Sequence, residues 1–231
     1  KEFQFIVNYY HAKGLLWIED REGGDTYLNK AKRLYTELKT KKQDPKLMAL
    51  YGNLLLVEAH RVAADASPEV ARAKYIETQK ALLAINKKVH QMRDPYIQLQ
   101  INTDLAHVYF SLGNYQKQLL HYKKAEFWSR QTGDIQSLGV DIYNVARTYQ
   151  RLTHYDRAIA EFKRALATFV EAKDSVSIVD CHLRMAEIYL TQDDMTNAKH
   201  MLDKLASFTT GFGQFQIDLY KKLQQVYAEK L

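Results

Sequence analysis

The sequence has one cysteine, three prolines and nine glycines in 231 residues. A lone thiol, Cys181, excludes an internal disulfide framework and a thiolate metal cluster. It reads as a buried structural side chain. So few prolines and glycines leave long stretches unbroken, and 46% hydrophobic residues complete a helix-rich balance. No stretch approaches the roughly 18 consecutive apolar residues of a membrane span, so none is expected within the chain. The formal charge of +6 is modest, and Lys and Arg alternate with Asp and Glu. A nucleic-acid footprint would need a concentrated basic stripe, so no nucleic-acid partner is expected. The chain opens on Lys1, with no signal peptide, and reads as a fragment of a longer protein.

Signatures of catalysis are missing as well. Among eight histidines no two stand four apart, and there is no His-Glu-x-x-His pair for zinc. Gly211 and Gly213 form a lone GxG, short of a dinucleotide loop. Neither a phosphate-binding Gly-x-x-x-x-Gly-Lys loop nor a Gly-x-Ser-x-Gly elbow occurs. The fragment is read as non-catalytic, without cofactor or metal.

What the chain does contain is a repeat. "DLAHVYFSLGNYQKQLLHYKKAE", "NVARTYQRLTHYDRAIAEFKRAL" and "RMAEIYLTQDDMTNAKHMLDKLA" follow one another at an interval of forty residues. Ala106, Ala146 and Ala186 are each followed three residues later by Tyr109, Tyr149 and Tyr189. After a polar break come Tyr115, Tyr155 and Met195, then Tyr122, Phe162 and Leu202, then Ala125, Ala165 and Leu205. Spacings of three, four and seven within each half describe a helix with one buried stripe. The breaks hold Gly113-Asn114, Thr153-His154 and Asp193-Asp194. Asp94, Asp134 and Asp174 keep the same interval and are placed as helix N-caps. Pro45, Pro68 and Pro95 each follow a capping residue, which suits the first helical position.

Each unit is thus a helical hairpin. A small residue permits close helix approach, and the tyrosine one turn on fills the space beside it. A hairpin cannot bury its outer stripe alone, so hairpins stack.

This pattern resembles the tetratricopeptide repeat across roughly residues 95 to 206. "LGNYQKQLLHYKKA" fits with Gln118 where the family usually has alanine, and "YDRAIAEFKRA" fits throughout. The third unit departs at Met195, Leu202 and Leu205, and the interval exceeds the commonest period of about 34. The resemblance implies an all-α, right-handed superhelical solenoid of stacked hairpins, about 40 residues per unit and about eleven helices. It is expected to form a single domain over 1–231: degenerate hairpins in 1–93, three clear repeats in 94–212 and a C-terminal capping helix in 213–231. The first hairpin is placed at 2–19 and 24–41, divided by "REGGD".

In that family the first helix of each hairpin lines an inner groove. By phase, this implies a concave face of Thr103, Asp104, His107 and Phe110, then Val140, Tyr143, Asn144, Arg147, Gln150 and Arg151, then Asp180, Leu183, Arg184 and Glu187. Asn144 falls where peptide-binding members place an asparagine that holds a ligand's backbone, and an amide donates and accepts at once. Arg147 and Arg151 lie one turn apart on one face. They either clamp an acidic ligand bidentately or pair with Asp180, Glu187 or Asp104 on neighbouring helices. Tyr143 and Phe110 are equally suited to the core.

The expected role is a sensor or interaction module for a protein, peptide or small acidic ligand, with dimerisation left open. The interval, and "QTGD" before a unit, resemble extracytoplasmic (periplasmic) sensor domains of bacterial signalling proteins. Those precede a transmembrane helix and a diguanylate cyclase or histidine kinase output domain. The alternatives are a cytoplasmic peptide-responsive regulator and a passive assembly adaptor.

Overall fold

The computed structural model describes residues 1–39, 44–206 and 213–230. Among them are eleven α-helices, one short 3-10 turn and no strand. In order they are α1 (Glu2–Trp17), α2 (Arg21–Lys39), α3 (Pro45–Asp65), α4 (Pro68–Val89), α5 (Pro95–Ser111) and α6 (Tyr115–Thr132). After them come α7 (Ile135–Arg151), α8 (Tyr155–Ala172), α9 (Ser175–Thr191), α10 (Met195–Ala206) and α11 (Gln214–Glu229). The helix end expected at residue 41, the boundary at 212, Gly211 and Leu231 lie outside the described residues.

The caps explain the boundaries. Asp44, Asp94 and Asp134 each accept from two backbone amides of the following turn, and Asp174 accepts from Ser177 N at 3.1 Å. These carboxylates satisfy donors that a helix start leaves orphaned. Pro45, Pro68 and Pro95 occupy the first turn, as expected.

The expected break at "REGGD" is corrected: α2 begins at Arg21, so both glycines lie inside the helix. Asp20 caps this start, with Oδ1 accepting from Gly23 N at 3.1 Å. Packing then favours glycine here, because a Cβ on Gly24 would meet the Leu16 side chain at 2.5 Å. Close approach of α1 and α2 outweighs the poor helix propensity of glycine, about 1 kcal/mol per residue.

The turns repeat as faithfully as the stripes. Within hairpins, Gly113, Thr153 and Asp193 hold φ of 72°, 57° and 57°. Between hairpins, Arg93, Gly133 and Lys173 hold 48°, 73° and 56°. At these six turns one left-handed residue redirects the chain.

Contacts divide the chain into two compact units, Lys1–Trp128 and Ser129–Leu231. In the first, α1 packs on α2, α3 on α4, and α3 also touches α1, α2 and α5. Its core joins Phe5, Tyr9, Leu54, Leu82, Ile101 and Leu105. In the second, α7 pairs with α8 and α9 with α10, α8 touches α9, and α11 packs on α9 and α10. Ala106, Ala146 and Ala186 are fully buried, and so are Ala125, Ala165 and Leu205. Tyr109, Tyr149 and Tyr189 are buried beside them.

Phe215, Leu219, Leu223, Val226 and Tyr227 follow the three-four spacing of one apolar stripe, but α11 does not bury the start of it. Leu223 is buried and Leu219, Val226 and Tyr227 are half-buried, but Phe215 is 61% exposed. Half-buried Gln216 takes the inward position instead, donating to Asp180 Oδ1 at 3.3 Å.

Candidate functional site: the inner helix faces

The N-terminal unit carries a groove of about 610 Å³ running along α1, α3 and α5. Its position follows from helical spacing. Asn53, Leu56, Val57 and His60 share one face of α3, and Gln100, Thr103, Asp104 and His107 share the matching face of α5. The two quartets have the same internal spacing, so the helices present equivalent walls. Leu16 and Trp17 close the groove from α1, and Trp17 is 88% exposed.

A polar chain runs through the floor. Tyr9 Oη donates to Asn53 Oδ1 at 2.6 Å, and Asn53 Nδ2 donates to Asp104 Oδ1 at 2.6 Å. Gln100 Nε2 donates to the same oxygen at 2.9 Å. Asp104 is 1% exposed, and its Oδ2 has no hydrogen-bond partner among the described residues. Burial pushes the Asp104 carboxyl up to about 7, against the two amide hydrogen bonds and the nearby charge of Lys13. Desolvation penalises the charged form of any group. The same cause, with His60 nearby, pushes His107 down to about 4, so its imidazole is neutral at pH 7. Burial and the Asp104 charge also raise the Tyr9 phenol.

The cations at the rim are partly engaged. Arg61 reaches Asp65 at 2.5 Å and Asp25 at 3.1 Å, while Arg21 reaches Asp65 at 2.5 Å. Exposed Lys13 lies 6.0 Å from the Tyr9 ring centre.

The structure therefore gathers Thr103, Asp104 and His107 into one groove. Phe110, a turn further along α5, is 39% exposed and leans on Tyr115 at 6.4 Å between ring centres. It does not line the groove. Tyr9, Lys13, Asn53, His60 and Gln100 were absent from the expected site. The repeated spacing on α3 and α5 is the signal that points to three of them.

In the C-terminal unit the expected residues lie on α7 and α9. Arg147 Nη1 donates to Tyr143 Oη at 3.3 Å and its guanidinium lies 5.9 Å from that ring. Tyr143 also meets Phe162 edge-on, so it serves core and face together. Gln150 Nε2 donates to Glu187 at 2.8 Å, and Arg184 pairs with the same carboxylate at 3.1 Å. Asp180 is raised by burial, against its hydrogen bond from Gln216 and the charges of Arg184 and Arg147. Asn144 and Arg151 are half-buried, Val140 is exposed, and Leu183 belongs to the core. Arg184 also faces Phe215 of α11 at 5.6 Å.

No group of three metal-ligating side chains occurs among the described residues. No described helix is long and apolar enough to cross a membrane. Cys181 is buried, and desolvation raises its thiol further from the reactive thiolate.

The sequence profile of the tetratricopeptide repeat matches residues 99–131 and 142–167. No curated protein sequence matches the chain. Several solved structures share its fold. One is a signal transduction ATPase with numerous domains and a tetratricopeptide repeat sensor, from Pyrococcus horikoshii. It has 14% identity and a TM-score of 0.69, over 99% of this chain and 33% of that one. Another is aspartyl phosphate phosphatase F from Bacillus subtilis, with 16% identity and a TM-score of 0.67, over 96% of this chain and 56% of that one. A third is a Rap protein complexed with competence and sporulation factor, with 16% identity and a TM-score of 0.57, over 100% of this chain and 65% of that one. This chain spans a third of the first protein's length and just over half of the second's. The likeness establishes an all-α stack of tetratricopeptide-type hairpins.

Proposed function

We propose that this chain is a non-catalytic binding module that takes a protein or peptide partner on its inner helix faces. The groove along α1, α3 and α5, with a polar floor under apolar walls, carries this reading. Such a surface binds by shape and a few placed polar groups. Thr103, Asp104 and His107 contribute from α5, and exposed Phe110 adds to the same helix a turn beyond the groove. Tyr143, Asn144, Arg147, Gln150 and Arg151 contribute from α7, and Asp180, Arg184 and Glu187 from α9. On α7 the two arginines supply bidentate donors for acidic groups, and Asn144 supplies an amide for a backbone.

Within a longer protein, the module serves as the sensor of a bacterial signalling system. It lies outside the cytoplasm, ahead of a transmembrane helix and a diguanylate cyclase or kinase output domain. The neighbour that carries a repeat sensor beside an ATPase supports this division of labour. A second reading, a cytoplasmic peptide-responsive regulator, is favoured by the likeness to a Rap protein complexed with competence and sporulation factor.

Titrating capped, glutamate-rich pentapeptides tests the arginine face. Arg147→Ala with Arg151→Ala should weaken binding about tenfold while leaving the melting temperature in place. Lower stability with unchanged affinity would return both arginines to internal ion pairing. In the full-length protein, a flexible glycine linker after Leu231 should abolish the response of output to ligand and preserve affinity. Normal signalling through that linker would favour the regulator or an adaptor.

A further inference from the structure

We propose that the groove of the N-terminal unit is a receptor for a lysine or arginine side chain of a peptide partner, with Asp104 as the group that receives the cation. This rests on the reading that the inner faces bind ligands, and it assigns this groove a cationic ligand rather than an acidic one.

The observation behind it is an incomplete polar chain. Tyr9, Asn53 and Gln100 all direct their donors toward one end of the network, and two of them saturate Asp104 Oδ1. Oδ2 is left without a partner among the described residues, although the side chain is 1% exposed. Buried polar atoms are rarely left so, because each costs the full desolvation of the group. Protonation does not repair the defect, since a carboxylic acid hydrogen on Oδ2 meets no acceptor there. A cationic donor would, because it meets the lone pairs of Oδ2 and compensates the buried charge together.

The surroundings select the kind of cation. Leu56, Val57 and Leu16 offer apolar wall to an aliphatic stem, and Trp17 and His107 offer aromatic faces nearby. His107 is neutral at pH 7 and does not repel a cation. Arg21 and Arg61 at the rim have their charge offset by Asp65 and Asp25. Lys13, the remaining rim cation, is exposed, so water weakens its repulsion of an incoming cation although its charge still acts on Asp104. Asp104 lines the groove although its Oδ2 is buried, so on this proposal the ligand reaches that oxygen by displacing half-buried Gln100, which also lines the groove and holds the neighbouring oxygen. A volume of about 610 Å³ exceeds what one ammonium group needs and leaves room for flanking residues of a peptide.

Three libraries of capped pentapeptides, fixed at the centre as lysine, norleucine or glutamate and randomised elsewhere, would be offered to the purified protein at pH 8. Bound members are read by mass spectrometry. The lysine library should be enriched at least tenfold over the norleucine library. Asp104→Asn, which keeps acceptor and shape but removes the charge, should abolish that preference while a circular-dichroism melt shows the fold intact. Preference that survives in this variant would overturn the proposal. Binding of the norleucine or glutamate library without enrichment of lysine would also overturn it, and leave standing the broader reading of the inner faces as binding surfaces. Binding of none of the three would overturn both. Binding of n-butylamine as tight as that of the selected peptides would overturn the assignment to a peptide.

Discussion

Asp104 has a consequence for stability that does not depend on any ligand. Its carboxyl is pushed up to about 7 in the folded chain, against about 3.9 when unfolded. The folded state therefore holds the proton more tightly, and the stability it gains is fully present below about pH 4. That gain is lost as the pH rises through about 7. His107, His121 and His182 act in the opposite sense. Burial lowers each to about 4, with neighbouring cationic groups adding to it, so their contribution is present above about pH 6.5 and lost as the pH falls through 4. Comparing Asp104→Asn with wild type separates the two. The variant should match wild type near pH 4 and exceed it at pH 8 by on the order of 2–4 kcal/mol. Urea midpoints at both pH values measure this, and a pH-independent difference would contradict it. The sequence placed Asp104 on the inner face, but not its partners. Asn53 and Tyr9 belong to hairpins that depart from the repeat, so phase gave no reason to pair them with α5. A buried carboxyl is also indistinguishable from a solvated one by residue type alone.

At the scale of a helix, the repeat was legible because its grammar is steric. Ala146 and Ala186 recur where helices cross closely, and their burial follows from the stripe that contains them. Ala146→Arg should cost several kcal/mol, from overpacking of about 1–3 kcal/mol and an unpaired buried charge. Ala160→Arg, on the exposed side of α8, should leave the urea midpoint nearly unchanged. Equal midpoints for the two variants would remove the phase on which the inner-face assignment depends. The α1–α2 hairpin was legible only in part. Two adjacent glycines read locally as a break, while the neighbours that leave no room for a side chain there are Leu16 of α1 at Gly24 and the capping Asp20 at Gly23. Phe215 misled for a related reason. Its spacing fits the α11 stripe, but Gln216 beside it is the side chain that turns inward, to a polar partner on α9.

For the molecule as a whole, the end of the chain matters because a stack of hairpins must finish somewhere. α11 covers α9 and α10 with Leu223, and Lys230 reaches back to Leu190 O at 2.9 Å and to the Asp193 carboxylate. Removing residues 213–231 should expose that surface and shift the protein to dimers or aggregates, as read by light scattering after gel filtration. A monodisperse monomer of unchanged melting temperature would show that the helix is dispensable to the stack. The left-handed residues at Gly133 and Lys173 add a different consequence. Both ends of the hairpin between them present the same joint, each followed by a capping aspartate, Asp134 and Asp174. A gene that gains or loses one such segment by unequal recombination would thus rejoin like to like. The length of the repeat array is therefore open to change in whole hairpins, with no new loop to invent.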